Sequence, residues 1–361
     1  MKIVAEMWGK IQSSLFPYLV ECLDDSLTAG LKQFIEALEV VRIEEIVSSP
    51  FAQHMGRPQS DRRCLARAFL AKAVMGYSTT LMLREVIYLQ PTLRRLCGWE
   101  RRSDIPSEAT FCRAFAEFAK NGVGDMALDR LVATHISDQI VMHVTRDATS
   151  VEAREKPAKK PKVRRRIESA HIRKDGSFTP RTRIEHQYFQ DPLVALSELP
   201  CACDVGIKRN SKGHNNVWIG YKAHIDWTDG FVPINVVTTS ASVHDSQVAI
   251  PMARITAKKA PVIYELMDSA YDSPFIRKAI EELGHIPIID RQKNRKDYIP
   301  FDPAKKARFA ERTCAERGIS RLKDEFGLRN VRVRGHQKVH LHVMFGVLAL
   351  FAAQILRPMP T

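Results

Sequence analysis

Residues 1–135 carry a helical pattern of apolar and polar positions. Apolar residues recur there at intervals of three and four between turn signals, and the sustained alternation typical of strands is absent. The pattern predicts four helices, over Leu27–Ile46, Asp61–Met75, Thr79–Leu89 and Ser107–Phe118. These short basic helices, separated by tight turns, could form a helix-turn-helix that offers arginines to DNA phosphates, or a plain helical bundle with a solvated arginine face.

The pattern changes after Asp138. Residues 139–145 are alternating and β-branched, and they predict a strand that delivers Arg146-Asp147 at its carboxyl end. Two more strands are predicted at 217–226 and 231–239, joined by a turn whose Asp229-Gly230 suits a hairpin. Further elements then alternate, with a helix at 246–255, a strand at 262–267, a helix at 274–283, a strand at 285–289 and a long helix at 304–326. This order predicts an α/β fold with a mixed sheet flanked by helices, and it resembles the ribonuclease H-like fold.

The two patterns predict two domains. An all-α domain, interpreted as DNA-binding, occupies residues 1–135, and the α/β domain occupies residues 136–361. The second domain contains an insertion at about 151–216 that is too long for a plain connection in a compact domain. Residues 151–183 hold twelve basic and four acidic residues, and residues 291–338 hold fifteen basic and six acidic residues. The positive charge is therefore concentrated around the α/β domain.

The net charge of the chain indicates which class of partner it binds. Lys and Arg number 55 against 41 for Asp and Glu, a net charge of +14, which favours either nucleic acid or an anionic membrane. A membrane-surface protein would need an amphipathic basic helix with an exposed aromatic face, and none stands out. The apolar run Leu341–Leu356 contains His342 and Gln354 and is shorter than the ~20 clean residues of a spanning helix, so we predict a buried helix. No secretory signal is evident at the amino terminus, which predicts a cytoplasmic location.

Two carboxylates follow predicted strands. Asp147 ends the first strand, and Asp268 ends the apolar strand at 262–267. If these strands are neighbours, the two acids converge at one edge of the sheet. Two carboxylates about 4 Å apart repel by about 1 kcal/mol in water and by about 4 kcal/mol at an effective dielectric constant near 20. Such a pair requires a proton or cations, and hard oxygen ligands select Mg²⁺ or Mn²⁺.

The long helix supplies a third candidate acid, Glu316. Arg312 precedes it by four residues and Lys323 follows it by seven, which places all three on one stripe of a helix together with Phe309. Each acid alone is weak evidence, because an Asp after a strand most often caps a turn or helix. We predict that role for Asp245 or Ser246, and for Asp272. The joint order of Asp147, Asp268 and Glu316 is a more specific signal.

These residues resemble the DDE transposases of bacterial insertion sequences, in the group whose third acid lies in a Tyr-x2-Arg-x3-Glu-x6-Lys signature. The match here is Phe309-x2-Arg312-x3-Glu316-x6-Lys323, with phenylalanine in place of the tyrosine. Residues 146–150 and 267–273 match the blocks of the first and second acids. Phe309 lacks the hydroxyl that could bond a phosphate but keeps a ring that could stack on a base.

The resemblance implies a function and a set of site residues. Asp147, Asp268 and Glu316 are expected to hold two Mg²⁺ or Mn²⁺ ions for cleavage and strand transfer, and Arg312 and Lys323 are expected to hold the DNA strand. The implied partners are the terminal inverted repeats and target DNA, bound by a homodimer in a synaptic complex at the nucleoid. We also predict that five basic residues of the insertion grip the DNA backbone without reading bases: Lys159, Lys160, Arg164, Arg165 and Arg166.

Two alternatives share these features. A ribonuclease H-like nuclease would use the same acids for hydrolysis alone. A catalytically silent DNA-binding repressor would bind without cutting, which would leave the intact acid set without a role.

Overall fold

The computed structural model describes residues 27–47, 60–158, 182–209, 213–291 and 299–357. Within them the chain forms two compact units. The first unit contains the described residues up to Leu131, together with Arg321–Arg332 and those from Leu341 onward. The second unit contains the described residues of Val132–Ser320 and Val333–His340. The predicted boundary at 135/136 lies close to the first division, but the last helix of the chain is shared between the units.

The first unit is helical, as the amino-terminal pattern predicts. Its helices are α1 (Ala29–Val41), α2 (Arg62–Val74), α3 (Thr80–Leu89), α4 (Pro91–Cys97), α5 (Glu108–Lys120) and the start of α6 (Val123–His135). Three of them begin at a side chain that accepts a hydrogen bond from the first turn, namely Thr28, Asp61 and Thr79. Phe69 of α2 lies at the centre of the core, with its ring 4.9 Å from that of Phe115. This unit confirms the four predicted helices and adds α4 and α6.

The second unit is built on a six-stranded mixed sheet. The strands are β1 (Val141–Glu152), β2 (Asp204–Arg209), β3 (Asn215–Trp227), β4 (Pro233–Ser240), β5 (Val262–Met267) and β6 (Ile286–Ile289). The order is β2-β3-β1-β5-β6, with β4 also paired to β3. The pairs β1–β5 and β5–β6 are parallel, and the pairs that involve β3 are antiparallel. The predicted mixed sheet and the hairpin at Asp229-Gly230 are confirmed, whereas β2 was not predicted.

Strand β1 is longer than its sequence pattern predicts. It continues past Thr145 to Glu152 because these later residues pair with β3, from Asp147 opposite Ile225 to Glu152 opposite Gly220. Gly220 has φ +152°, and a Cβ there would lie 2.1 Å from the carbonyl oxygen of Val151. Only glycine fits where β3 passes so close to β1.

Helices cover the sheet on both faces. On one face lie α7 (Arg183–Phe189), α8 (Pro192–Ser197), α9 (Ala249–Lys259) and α10 (Pro274–Glu282), around a core that includes Met267, Tyr271 and Ile280. The predicted helix at 304–326 is two helices, α11 (Pro303–Ala310) and α12 (Thr313–Asp324). On the other face, Cys314 of α12 lies 3.6 Å from the hydroxyl of Thr145. Gly318 lets α12 approach β3, since a Cβ there would lie 2.5 Å from the ring of Trp227.

The last helix, α13 (His336–Ile355), is long and apolar enough to cross a membrane by length and composition. However, 67% of its most apolar window is buried within the protein. In the second unit, its residues His336 and His340 bond the carbonyl oxygen and the hydroxyl of Thr238 at 2.7 and 2.9 Å. In the first unit, Phe345 packs 5.8 Å from Phe69. It is therefore a core helix, as the pattern predicts.

Candidate active site

Asp147 lies on β1, and Asp268 directly follows β5, the parallel neighbour of β1. The pairing of β1 with β5 places Thr145 opposite Leu266, and each aspartate follows two residues later along its own strand direction. Since side chains alternate between the two faces of a sheet, both aspartates lie on the face opposite Arg146 and Met267. This is the face that α12 covers. We call Asp147 and Asp268 together the acid edge.

The charges around Asp147 are of both signs. The side chain is half-buried, and its carboxylate accepts a hydrogen bond from the backbone N–H of Ala148 at 2.8 Å. Burial raises the pKa of Asp147, Lys208 and Arg312 act to lower it, and the negative charge of Asp268 raises it further. The charge of Asp268 thus acts on that of Asp147.

Asp268 is held by the short helix that it begins. Its carboxylate accepts a hydrogen bond from the backbone N–H of Ala270 at 2.9 Å, and it caps the 3₁₀ turn Ser269–Tyr271. One oxygen of this carboxylate is thus oriented by the backbone, while the side chain stays half-buried rather than enclosed. A carboxylate fixed in this way is suited to bind a cation at the sheet edge.

A buried ionic network lies directly beneath the acid edge. The guanidinium of Arg146 is fully buried and bonds both carboxylate oxygens of Asp226 on β3, at 2.7 and 2.9 Å. It also bonds Glu265 on β5 at 3.2 Å. The second oxygen of Glu265 lies 2.8 Å from Nδ1 of His285. Arg146 therefore joins the three strands β1, β3 and β5 one residue before Asp147.

A second ion pair borders the site. The ammonium of Lys222 lies 2.8 Å from the carboxylate of Asp245 and donates to the carbonyl oxygen of Val243 at the same distance. Lys208 also acts on the charge of Asp245, as it does on that of Asp147. Lys208 thus brings a cation of β2 toward both Asp147 and Asp245.

The residues of the signature lie on α12 or shortly before it. Arg312 acts on the charge of Asp147, and its buried Nε has no hydrogen-bond partner among the described residues. Its guanidinium lies 5.4 Å from the ring centre of Phe309. Glu316 is exposed on α12, one turn after Arg312, and Lys323 lies half-buried in the last turn of that helix.

The predicted three-acid cluster is present only in part. Among the described residues, no three His, Cys, Asp or Glu side chains are grouped so that they could hold an ion. The structure brings together Asp147 and Asp268, and it does not bring Glu316 into their group. The five basic residues predicted in the insertion lie outside the described residues: Lys159, Lys160, Arg164, Arg165 and Arg166.

The acid edge fits a divalent cation by its chemistry. It offers two carboxylates of like charge, one of them oriented by the backbone N–H of Ala270 at 2.9 Å. A cation between the carboxylates would remove their repulsion, and oxygen donors suit Mg²⁺ and Mn²⁺. Asp147 and Asp268 are therefore the described residues that would hold such an ion.

Two predicted helix caps are wrong. Asp245 pairs with Lys222, and the side chain that accepts from the backbone N–H of Ser246 is that of His244, at 3.4 Å. Asp272 binds the guanidinium of Arg277 at 2.9 Å. In both cases a basic side chain within reach offers a stronger, charge-assisted bond than a backbone N–H does.

Two family models match parts of this chain. A family model described as "Transposase DDE domain" matches residues 146–352, which is more than half of the chain. A second, described as "Transposase domain (DUF772)", matches residues 21–117. No curated protein and no solved structure gave a match. The first matched range begins at the strand of Asp147 and includes Asp268 and Glu316. The chain belongs to the DDE transposase family.

Proposed function

We propose that this protein cuts DNA at the ends of an insertion sequence and transfers the strands to target DNA. The observation that carries the proposal is the parallel pairing of β1, which contains Asp147, with β5, which Asp268 directly follows, in a chain of the DDE transposase family. The strand order, three antiparallel strands followed by two parallel ones, supports a ribonuclease H-like catalytic domain. The helical first unit is the proposed DNA-binding domain.

The proposed chemistry is phosphoryl transfer assisted by two Mg²⁺ or Mn²⁺ ions. When bound, the ions supply activation of the attacking oxygen and stabilisation of the leaving oxygen. Asp147 and Asp268 would hold them, with Glu316 as the predicted third ligand. The side chain of Glu316 is exposed on α12. Its carboxylate would move toward the positive charge of the bound ions.

The basic residues near the acid edge would hold the substrate. The free Nε of Arg312 can donate to a phosphate oxygen, and a planar guanidinium suits that contact. Lys208 is exposed on β2 and acts on the charge of Asp147, so it adds a second cation near this aspartate. Lys323 is a further proposed contact with the DNA strand. Arg312 and Lys208 would orient the scissile phosphate against the two aspartates.

The proposed partners are double-stranded DNA and a second copy of the chain. The DNA comprises the terminal inverted repeats and the target, and two copies would form the synaptic complex, in the cytoplasm and at the nucleoid. The net charge of +14 supports a polyanionic partner.

Strand joining separates the proposed function from its alternatives. We expect the protein with Mg²⁺ to cut a duplex carrying the element's end sequences and to join the ends to a supercoiled target. Cleavage without joined product on paired-end substrates would indicate a hydrolytic nuclease. Binding without either reaction would indicate a repressor. Short inverted repeats bounded by direct duplications in the DNA around the gene would supply the substrate sequence.

Neutralising the basic insertion is expected to flatten the salt dependence of DNA affinity. The variant carries glutamine at Lys159, Lys160, Arg164, Arg165 and Arg166. Each lost phosphate contact lowers the slope of log K against log salt concentration by about 0.9, so a change of up to ~4 to 5 is expected. Fluorescence anisotropy of a labelled duplex at several salt concentrations measures the slope.

The control for this experiment replaces Lys258 and Lys278 by glutamine. Both side chains are exposed, on α9 and α10, which cover the face opposite the acid edge. For this control variant, the change in the slope of log K against log salt concentration, per charge removed, should be small. A slope for the insertion variant equal to that of the unmodified protein would show that these five residues do not contact DNA.

A further inference from the structure

A cluster of side chains lies on the sheet four residues before the acid edge and takes no part in the proposed chemistry. His143 on β1 and Tyr264 on β5 lie opposite each other, and each precedes an aspartate of the acid edge by four positions. Because side chains on a strand alternate between its two faces, His143 lies on the same face of β1 as Asp147, about 13 Å along the strand. Asp229 and Arg308 complete the set, which we call the His143 cluster.

Asp229 holds His143 at two points. One carboxylate oxygen accepts a hydrogen bond from the backbone N–H of His143 at 3.0 Å, and the other lies 2.5 Å from its Nδ1. The second ring nitrogen, Nε2, lies 3.4 Å from the guanidinium of Arg308. Since a guanidinium can only donate, Nε2 is the acceptor and the hydrogen on Nδ1 points to Asp229. The turn between β3 and β4 is thereby linked through His143 to α11.

The guanidinium of Arg308 lies over the ring of Tyr264, 4.2 Å from its centre. The imidazole of His143 is stacked against the same ring, with the two ring centres 5.4 Å apart and the planes inclined by 26°. A planar guanidinium over an aromatic ring gains cation–π attraction as well as stacking contact. Arg308 therefore contacts β1 and β5 at once and ties α11 to the sheet.

Arg312 lies at the corner where α11 ends and α12 begins, four residues after Arg308. Its backbone N–H donates to the carbonyl oxygen of Phe309 at 3.1 Å, and its guanidinium lies over the ring of that residue. After the corner, Cys314 lies 3.6 Å from the hydroxyl of Thr145 on β1. The corner is thus fixed to β1 at two points, by Arg308 before Arg312 and by Cys314 after it.

We propose that Arg308 is a positioning residue of the proposed active site: it fixes the corner between α11 and α12 on the sheet, and the corner fixes the guanidinium of Arg312 for the scissile phosphate. Such a contact depends on geometry, since a displacement of ~1 Å can cost about 10²-fold in rate. Phe309 follows Arg308 on α11, so the ring beside Arg312 moves with Arg308. This inference rests on the proposed function, because Arg312 is the proposed phosphate contact.

The test is a double-mutant cycle on Arg308 and Arg312 in the full-length protein. Single-turnover cleavage of an end-sequence duplex, at saturating DNA, measures the rate. We expect Arg308→Ala to lower the rate about 10²-fold and Arg312→Ala to lower it by about 10² to 10³. The double variant should be no slower than Arg312→Ala alone, within about twofold, because Arg308 acts through Arg312. Effects that multiply would overturn the inference, since Arg308 would then contact DNA by itself or support the fold in general.

Lys306→Ala is the matched control. Lys306 is exposed on the same helix, two residues before Arg308, so its removal changes the charge equally without touching the His143 cluster. Cleavage at the unmodified rate is expected, and a loss equal to that of Arg308→Ala would overturn the inference. Arg308→Lys keeps the charge but not the planar group, so its rate should fall toward that of Arg308→Ala. Full activity in Arg308→Lys would show that the charge alone suffices and that the stacked contact has no role.

Hydrogen exchange of the DNA-free protein tests the contact of α11 with the sheet without any cleavage. Arg308→Ala and His143→Ala should each speed the exchange of the backbone amides of α11, because local opening becomes easier when the helix loses its contacts. Lys306→Ala should leave that exchange unchanged. If Arg308→Ala also leaves it unchanged, the inference is overturned whatever the cleavage rates are.

The outcomes separate this inference from the proposed function. If the unmodified protein cuts DNA and Arg308→Ala cuts equally fast, only the positioning role of Arg308 fails. If Arg312→Ala cuts at the unmodified rate, the proposed phosphate contact fails, and the role of Arg308 fails with it. If the unmodified protein cuts no DNA, the proposed function fails and the inference falls with it, while hydrogen exchange still shows whether Arg308 holds α11 on the sheet.

Discussion

Alanine at Asp147, Asp268 or Glu316 is expected to abolish Mg²⁺-dependent cleavage while leaving DNA binding largely intact. Removal of a single electrostatic donor from an active site typically costs about 10² to 10³ in rate, and loss of an ion's ligand should cost at least as much. Single-turnover cleavage of an end-sequence duplex measures the rate, and anisotropy at the same salt concentration measures binding.

Glu311→Ala is the control for the helical acid. Glu311 is exposed five residues before Glu316, so its removal changes the net charge equally without touching a predicted ligand. Cleavage at the unmodified rate in any one of the three variants removes that residue from the site. Activity in Glu316→Ala alone would leave the two aspartates in place and make Asp245 the next candidate for the third acid.

Replacing Arg146 by methionine is expected to produce the largest loss of stability. The guanidinium is fully buried between Asp226 and Glu265, which are 0% and 1% exposed. Breaking such a pair on one side leaves uncompensated charges in the core and costs about 3 to 5 kcal/mol. That is a large part of the ~5 to 15 kcal/mol by which folded domains are stable. Denaturant unfolding followed by circular dichroism measures the change.

The triple variant Arg146→Met, Asp226→Leu and Glu265→Met tests the cause of that loss. Replacing all members of a buried ionic group by apolar residues is often neutral, so much of the stability should return. Arg42→Met is the surface control: its ion pair with Glu39 is exposed and should contribute less than about 1 kcal/mol. A triple variant as unstable as the single one would show that lost packing, rather than unpaired charge, is responsible.

Much of the fold follows from local pattern. Four helices of the first unit and five of the six described strands of the second were predictable from apolar spacing and turn residues. Helix α4 carried signals that could have been recognised, since it starts with Pro91 and ends before Gly98, which has φ +103°. Strand β2 had no comparable local signal, because its residues Val205 and Ile207 are exposed.

The environment of the site was less predictable than the acids themselves. Arg146 looks like a surface residue in the sequence, and its burial depends on Asp226 and Glu265, which lie 80 and 119 positions away. The partners of Asp245 and Asp272 likewise depend on which basic side chains the fold brings near. The sequence placed Asp147 and Asp268 after two apolar strands, and the structure pairs those strands, whereas helix spacing alone did not determine where Glu316 points.

The pairing of β5 with β1 limits where residues can be inserted into the chain. One residue inserted in β5 would turn Asp268 to the opposite side of the sheet, and two would carry it beyond Asp147 by ~7 Å. Substitutions at many positions leave this alignment intact, but insertions between Val262 and Asp268 do not. Active relatives of this chain should therefore vary in length in their connecting segments while this stretch keeps a constant number of residues.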